Sequence, residues 1–589
     1  MSIRDRRRPI GAEVIGDAVD FRVWAPDHRE VAVVIDDREH GLERGKDGHF
    51  RGAVRGTRAG ARYRFRLDRG EAFPDPASRF QPEGPKGASE VVDPNSYRWR
   101  ERNPTIDRRV IYEMHIGTFT REGTWRAAAE HLKPLAQIGI NTLEVMPVNE
   151  FPGRFGWGYD GVDLWAPTRL YGSPDDFRSF VDSAHALGLA VILDVVYNHL
   201  GPDGCYLGRF TKSYFTDRYT NEWGDAINFD GPGCEGVREF FSQNAAYWID
   251  EYRLDGLRLD ATQSINDGSP THILAEVSQC AREATRGREI FIVAENEPQD
   301  INLIREYGID ALWNDDWHHA AMIAAGKPRE AYYLDYKGTP QEFVSLARHG
   351  FLYQGQWYAW QKNRRGTPSL DTPPERLVSY LQNHDQVANS QNGKRIHELA
   401  PRGKYRALTA LLLLGPNTPM LFQGEEFASS APFLYFADHN KELAGAVAKG
   451  RAEFLEQFPS IDLKRLDAPH DIATFEKCKL DHAEAIPLIR ELLELRHQLA
   501  PADRIDGAVL SHEAFVLRFD DDRLLVINLG ERVDLDVAPE PLLAPPPNAR
   551  WEVRWSSDGT TKIEFEAAPS WRIPSECAVL MTAVRYTRS

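Results

Sequence analysis

Between about residues 10 and 100 apolar and polar positions alternate in short runs. Phe21-Arg22-Val23-Trp24, Val31-Ala32-Val33-Val34-Ile35 and Tyr63-Arg64-Phe65-Arg66-Leu67 are three of them, with Gly and Asp between. A period of two with such punctuation predicts the strands of a small β-sandwich. The Pro- and Gly-rich stretch Pro74 to Pro94 reads as a linker or an extended lid. From about residue 108 short β-rich runs alternate with helix-length amphipathic segments. The expected strands are Val110–His115, Thr142–Val148, Ala190–Val196, Gly256–Asp260, Ile290–Glu295, Ala311–Trp313, Leu377–Gln382 and Pro419–Phe422. Eight βα units predict a (β/α)8 TIM barrel with insertions. A doubly wound sheet is the alternative, but neither GxGxxG nor GxxxxGK[ST] occurs. The run Ala407 to Leu414 is too short to span a bilayer and predicts a buried helix. From about Val509 alternation returns in Phe515–Phe519, Leu524–Asn528 and Cys577–Thr582, with Pro545-Pro546-Pro547 as a loop. The expectation is a multidomain α/β chain: an N-terminal β-sandwich (1–100), the barrel (101–500) and a C-terminal all-β domain (501–589).

Composition narrows this further. An apolar fraction of 42% supplies large cores and excludes disorder as the overall state. The net charge of −17 would repel phosphate backbones, so no nucleic-acid partner is expected. Five scattered cysteines without a CxxC pair give neither a zinc ribbon nor a disulfide scaffold, and point to a reducing cytoplasm. The basic start (Arg4, Arg6, Arg7, Arg8) is followed by no apolar run, so it is not a secretory signal and reads as a solvated, frayed end.

Charged side chains gather where the expected strands end. Asp194 precedes Tyr197-Asn198-His199, Asp260 lies two residues after Arg258, Glu295 sits in Ala294-Glu295-Asn296-Glu297, and His384-Asp385 follow the seventh strand. In a barrel these positions share the C-terminal face, where active sites sit. Helix capping alone does not require charge, because Ser or Asn caps equally well. No metal-binding spacing and no GxSxG elbow accompany them, and the adjacent His318-His319 reads as a loop pair with diverging side chains. Carboxylates without a metal or a phosphate loop suit glycosidic cleavage, where one attacks and another, as the acid, protonates the leaving oxygen. The 14 Trp and 21 Tyr offer rings to stack on sugars.

These segments resemble the four signature regions of the alpha-amylase family of glycoside hydrolases. Asp194-Val195-Val196-Tyr197-Asn198-His199 is similar to the first, Gly256-Leu257-Arg258-Leu259-Asp260-Ala261 to the second, Ile292-Val293-Ala294-Glu295-Asn296 to the third and Gln382-Asn383-His384-Asp385-Gln386 to the fourth. The resemblance implies a retaining mechanism with Asp260 as nucleophile, Glu295 as general acid/base and Asp385 as the third carboxylate. It implies that Arg258 pairs with the nucleophile, that His199 and His384 bind the sugar in subsite −1, that Tyr159 stacks on it and that Asp194 supports the network. Trp157 and Gln386 are expected to touch substrate as well. No cofactor and no metal are expected, although Asn198 matches a calcium-binding position in some members. Glu297 and Asp315 are expected to shape the plus subsites. Where relatives usually carry His shortly beyond Ala261, this chain has Gln263, which leaves the acceptor-side contacts open.

The N-terminal sandwich, of the carbohydrate-binding-module type found before isoamylase barrels, points to the debranching, branching and trehalose-releasing branch. So do Tyr112–Phe119 and Trp157-Gly158-Tyr159-Asp160-Gly161-Val162. Phe422-Gln423-Gly424-Glu425-Glu426-Phe427 and Pro432–His439 resemble the trehalose-releasing members. The implied substrate is malto-oligosyltrehalose, and the implied functional partner is a synthase that makes it. A glycogen branching or debranching enzyme is the alternative. A catalytically silent glycan-binding barrel is the alternative of another class, and the intact Asp260, Glu295 and Asp385 argue against it.

Overall fold

The computed structural model describes residues 6–502, 504–536, 539–559 and 571–586. All eight expected barrel strands form: β1 (Ile111–Met114), β2 (Thr142–Val145), β3 (Ala190–Val195), β4 (Gly256–Leu259), β5 (Phe291–Ala294), β6 (Ala311–Trp313), β7 (Leu377–Tyr380) and β8 (Thr418–Phe422). They pair in parallel in chain order, and β8 closes on β1. Their residues are buried almost without exception, as a sheet covered on both faces requires.

Strand alternation then sorts the side chains. Leu143, Leu193, Leu257, Leu259 and Ile292 face outward and join the core shared with the surrounding helices. Ile111, Ile192, Val293, Ala311, Trp313, Val378, Tyr380 and Met420 form a separate apolar cluster inside the barrel. Two residues along from these, the alternation turns Glu113 and Asp194 inward as well, and Glu144 and Arg258 stand level with them in the strand register. The barrel therefore has a dry floor and a charged layer above it. Gly256 is required at that floor, because a Cβ there would lie 1.8 Å from the Phe291 carbonyl oxygen.

The N-terminal part is two antiparallel sheets. One holds Gly11–Ile15, Ala18–Trp24, Glu43–Arg44 and His49–Arg55; the other holds Val31–Ile35, Arg38–Gly41, Arg62–Leu67, Ala72–Phe73 and Ser89–Glu90. Phe21 packs edge-on to Tyr63 and Phe65 between them. The C-terminal part is a five-stranded antiparallel sheet built on Ala514–Phe519, Arg523–Asn528 and Cys577–Arg585. Its Phe515, Leu517, Leu525 and Leu580 continue the barrel's outer core, against which the helix Arg402–Leu414 also buries its Ala407–Leu414 run.

Three sequence expectations fail for physical reasons. Arg6, Arg7 and Arg8 are not a frayed end. Arg6 is paired with Asp20, and the Arg7 and Arg8 guanidiniums reach Asp250 of the helix Glu235–Glu251 at 2.7 and 2.5 Å. Arg4 lies outside the described residues. Pro74–Pro94 is not a linker but is fixed to the barrel: the Arg79 guanidinium lies over the adjacent rings of Trp165 and Tyr247, 4.6 Å from each, and Gln81 Nε2 donates to Asp163 at 3.2 Å. His318 and His319 are not loop residues. They lie buried in the helix Asp315–Ala324, whose N-terminus is capped by the Asn314 side chain. Stacked on Tyr380 and Tyr332, they are kept neutral by burial, which pushes the His318 pKa down to about 3.

Candidate active site

The ends of β3, β4 and β5 bring three carboxylates onto one guanidinium. Arg258 is fully buried, with Trp313 beneath it at 4.2 Å. Its Nη1 donates to Asp194 Oδ2 and to Asp260 Oδ1, each at 2.7 Å, and its Nη2 donates to Glu295 Oε2 at 2.7 Å. Charge-assisted bonds from a rigid planar fork fix relative position as well as charge.

The two oxygens of each carboxyl are used differently. Asp260 Oδ2 accepts from Asn198 Nδ2 at 2.7 Å, so both of its oxygens are held. The Asn198 side-chain oxygen in turn meets His199 Nδ1, so both ends of this amide are engaged within the site. Glu295 Oε2 accepts a second bond, 3.0 Å, from the Ala261 N–H. Ala261 has φ 38° and ψ 54°, a left-handed conformation unusual for alanine that aims its N–H at Glu295. With Oε2 doubly occupied, Oε1 is the oxygen left to carry a proton. Burial pushes the Glu295 carboxyl up to about 8; Arg258 opposes the shift, and Asp260, Asp385 and Asp315 add to it. Burial likewise raises Asp194 to about 6, against the pull of Arg258.

A cavity of about 240 Å³ opens above this cluster. Its wall includes Trp157, Tyr159, His199, Asp260, Glu295, His384 and Asp385, all named from sequence. Tyr159 donates its hydroxyl to Asp194 at 2.6 Å and lies parallel to His384, ring centres 5.1 Å apart. Trp157 stands edge-on to His384 at 5.3 Å and anchors its Nε1–H on the Leu434 carbonyl at 2.9 Å. His199 Nε2 lies 3.0 Å from the Tyr159 carbonyl oxygen. His384 Nδ1 meets Glu113 at 2.6 Å, and its Nε2 lies 3.5 Å from Asp385.

Five expected residues stand off the wall. Arg258 and Asp194 lie beneath it and act on it through their hydrogen bonds. Gln386 is turned away, contrary to its expected substrate contact: its side-chain oxygen accepts from the hydroxyls of Tyr332 and Tyr333, both at 2.9 Å. Glu297 and Asp315 are also absent from the wall. Glu297 is bound by Arg365 at 2.9 Å and by Gln361, and Asp315 by Tyr380. Gln263 does line the cavity.

Sequence reasoning missed Asp160, Trp223 and Tyr435 as wall residues. Trp223 is 49% exposed, tilted over His199 at 5.7 Å, on a loop tied back by Asn221 Nδ2 to the Asn198 carbonyl at 2.7 Å. A Trp in the polar stretch Asn221-Glu222-Trp223-Gly224 was the available signal.

A closed parallel barrel carrying an arginine-linked carboxylate cluster and an aromatic-walled cavity at its C-terminal rim defines an alpha-amylase-type glycoside hydrolase. A family model described as the alpha amylase catalytic domain matches residues 79–228, and a domain of unknown function matches residues 502–579. The chain is 39% identical over 511 residues to malto-oligosyltrehalose trehalohydrolase of Deinococcus radiodurans, covering 84% of each chain. It is 40% identical over 451 residues to the enzyme of that name from Saccharolobus solfataricus, covering 75% of this chain and 79% of the relative. A Salmonella typhimurium crystal structure described as a candidate alpha amylase superposes with a TM-score of 0.87 at 35% identity, covering 98% of this chain and 100% of that one. The chain belongs to the malto-oligosyltrehalose trehalohydrolases of the alpha-amylase family.

Proposed function

We propose that the protein hydrolyses the α-1,4-glucosidic bond next to the terminal trehalose of malto-oligosyltrehalose, with retention of anomeric configuration. The observation that carries this reading is the single guanidinium that bonds Asp260 through one nitrogen and Glu295 through the other, at a site where burial raises the Glu295 carboxyl. Asp260 attacks the anomeric carbon, and Glu295 Oε1–H protonates the departing trehalose oxygen. Glu295, now a carboxylate, deprotonates water, which releases the malto-oligosaccharide from Asp260. Asp385 accepts hydrogen bonds from ring hydroxyls that become better donors as positive charge develops on the sugar. His384 and His199 contact the same ring, and Tyr159 packs on its face. Arg258 and Asp194 set the geometry from below.

The supply of substrate calls for a second enzyme, a synthase that converts the reducing end of a malto-oligosaccharide into trehalose. A cytoplasmic location fits five cysteines none of which is paired in a disulfide. No helix among the described residues is long and apolar enough to cross a membrane. Incubation of the purified protein with malto-oligosyltrehalose tests the reading. Trehalose as the main product supports it, and an α-1,6-linked product, the mark of a branching enzyme, contradicts it.

A further inference from the structure

Glu113 on β1 is a buried carboxylate that the mechanism above does not use. It makes a two-point contact with His384, just past β7, which lies two strands away around the barrel with only β8 between. Its Oε2 accepts the backbone N–H of His384 at 2.9 Å, and its Oε1 lies 2.6 Å from His384 Nδ1. The contact spans 271 residues of sequence, so barrel closure alone creates it. We propose that Glu113 is a positioning residue that locks the His384 ring with Nδ1–H on itself and Nε2–H turned toward Asp385 and the sugar pocket. The proposal rests on the reading of the pocket as a glycosidic site.

The chemistry of imidazole explains why a carboxylate is needed. A neutral ring that gives its one proton to Glu113 presents a bare lone pair at Nε2. Only the cation donates from both nitrogens. Burial opposes that cation, but Asp385 and Glu113 outweigh burial and raise His384 to about 9. The other groups around it do not compete for the role. Arg258 on β4 repels the cation. His115, just past β1, is held neutral by burial, at about 3. Glu144 on β2 is level with Glu113 in the strand register, and burial drives its carboxyl far above the usual range, toward the neutral acid. Both Glu144 oxygens lack a protein partner, whereas both Glu113 oxygens are spent on His384. The Tyr159 ring lies parallel to the imidazole and the Trp157 ring edge-on to it, so both pack against it. Carboxylates behind a functional histidine act this way in metal sites and triads, where removing one costs about 10- to 100-fold or more.

The test compares Glu113→Gln and Glu113→Asp with wild type in kcat, KM and their pH profiles. Glu113→Gln keeps an acceptor for one N–H but loses the charge. It is expected to lower kcat about 10- to 100-fold with little change in KM. Its alkaline limb is also expected to move to lower pH, because His384 now loses its proton before Glu295 does. Glu113→Asp keeps the charge on a shorter arm and is expected to restore the wild-type limb in part. If Glu113→Gln has the wild-type pH profile, whatever its rate, the role is packing alone and the proposal is overturned. If Glu113→Gln does not fold, a Glu113→Asp limb displaced to lower pH with near-normal unfolding temperature supports the proposal, and an undisplaced limb with a large loss in kcat overturns it. Trehalose release by wild type, run in parallel, reports on the glycosidic reading separately.

Discussion

Arg258 and Arg365 are two buried arginines that each gather three carboxylates near the rim of this barrel, and only the first serves an open pocket. Arg258 binds Asp194, Asp260 and Glu295 at 2.7 Å, and the side chains of Asp260 and Glu295 remain 11% and 21% exposed. Arg365 is equally buried and is surrounded by Glu297 at 2.9 Å, Asp316 at 3.7 Å and Asp315 at 3.8 Å. Of its three carboxylates only Asp316 is fully buried, and Glu297 stays 28% exposed, but none of them lines the cavity. Asp316 accepts the Tyr336 hydroxyl at 2.5 Å and the Leu352 and Tyr353 N–H groups at 2.7 and 3.0 Å. Arg365 itself closes the hairpin Gln356–Tyr358/Asn363–Arg365, with its guanidinium 4.7 Å from the Tyr358 ring. Buried charge alone therefore does not mark a catalytic site. A free acid oxygen facing a cavity does, and Glu295 has one.

Substitutions that separate the two clusters give the largest contrast. Asp260→Asn is expected to lower kcat by about 10⁴-fold or more while leaving the unfolding temperature nearly unchanged. Asp316→Asn is expected to do the reverse: kcat close to wild type, but a loss of about 3 kcal/mol in stability, because a buried cation and two N–H groups lose their carboxylate. Denaturant titration and steady-state rates on the two variants break the comparison if both lose activity alike.

The pH dependence sharpens the same contrast. Glu295 works as an acid only while protonated, and its raised pKa keeps the proton on up to about 8. Activity should therefore persist through neutral pH and fall as pH rises through about 8, well above an ordinary carboxyl. Asp385→Asn removes a like charge that helps raise Glu295, so the alkaline limb of residual activity should move to lower pH. An unmoved limb would assign it to another group. The smallest effect is expected from Trp223→Ala, which removes an exposed ring at the cavity edge. A weakening of about 1 kcal/mol, read as about fivefold in KM with kcat little changed, is the expected result.

The barrel was legible because strands buried on both faces read as compact apolar runs between amphipathic segments. The proposed nucleophile Asp260 and acid Glu295 were legible because each directly follows such a run, where a barrel puts its chemistry. Glu113 and Glu144 sit inside the same runs, and only the closed register turns them toward His384 and Arg258. Arg365 was invisible for a similar reason: its partners lie 49 to 68 residues away in sequence. Gln386 misled because its neighbour Asp385 does face the pocket, while one residue further along the helix His384–Ala388 turns the side chain onto Tyr332 and Tyr333. The frayed reading of Arg6–Arg8 failed because local composition cannot show that Asp20 takes Arg6, or that Asp250 waits for Arg7 and Arg8 on a helix about 240 residues later.

Double displacement requires about 5 to 5.5 Å between the two carboxyl groups, and one guanidinium bonded to both Asp260 and Glu295 is what we propose sets that spacing. Proton NMR during the first minutes of malto-oligosyltrehalose hydrolysis tests it most directly, by reading the anomeric configuration of the newly freed malto-oligosaccharide before it mutarotates. Retention gives the α-anomer first; the β-anomer first would mean single-step inversion and would contradict the double displacement proposed here.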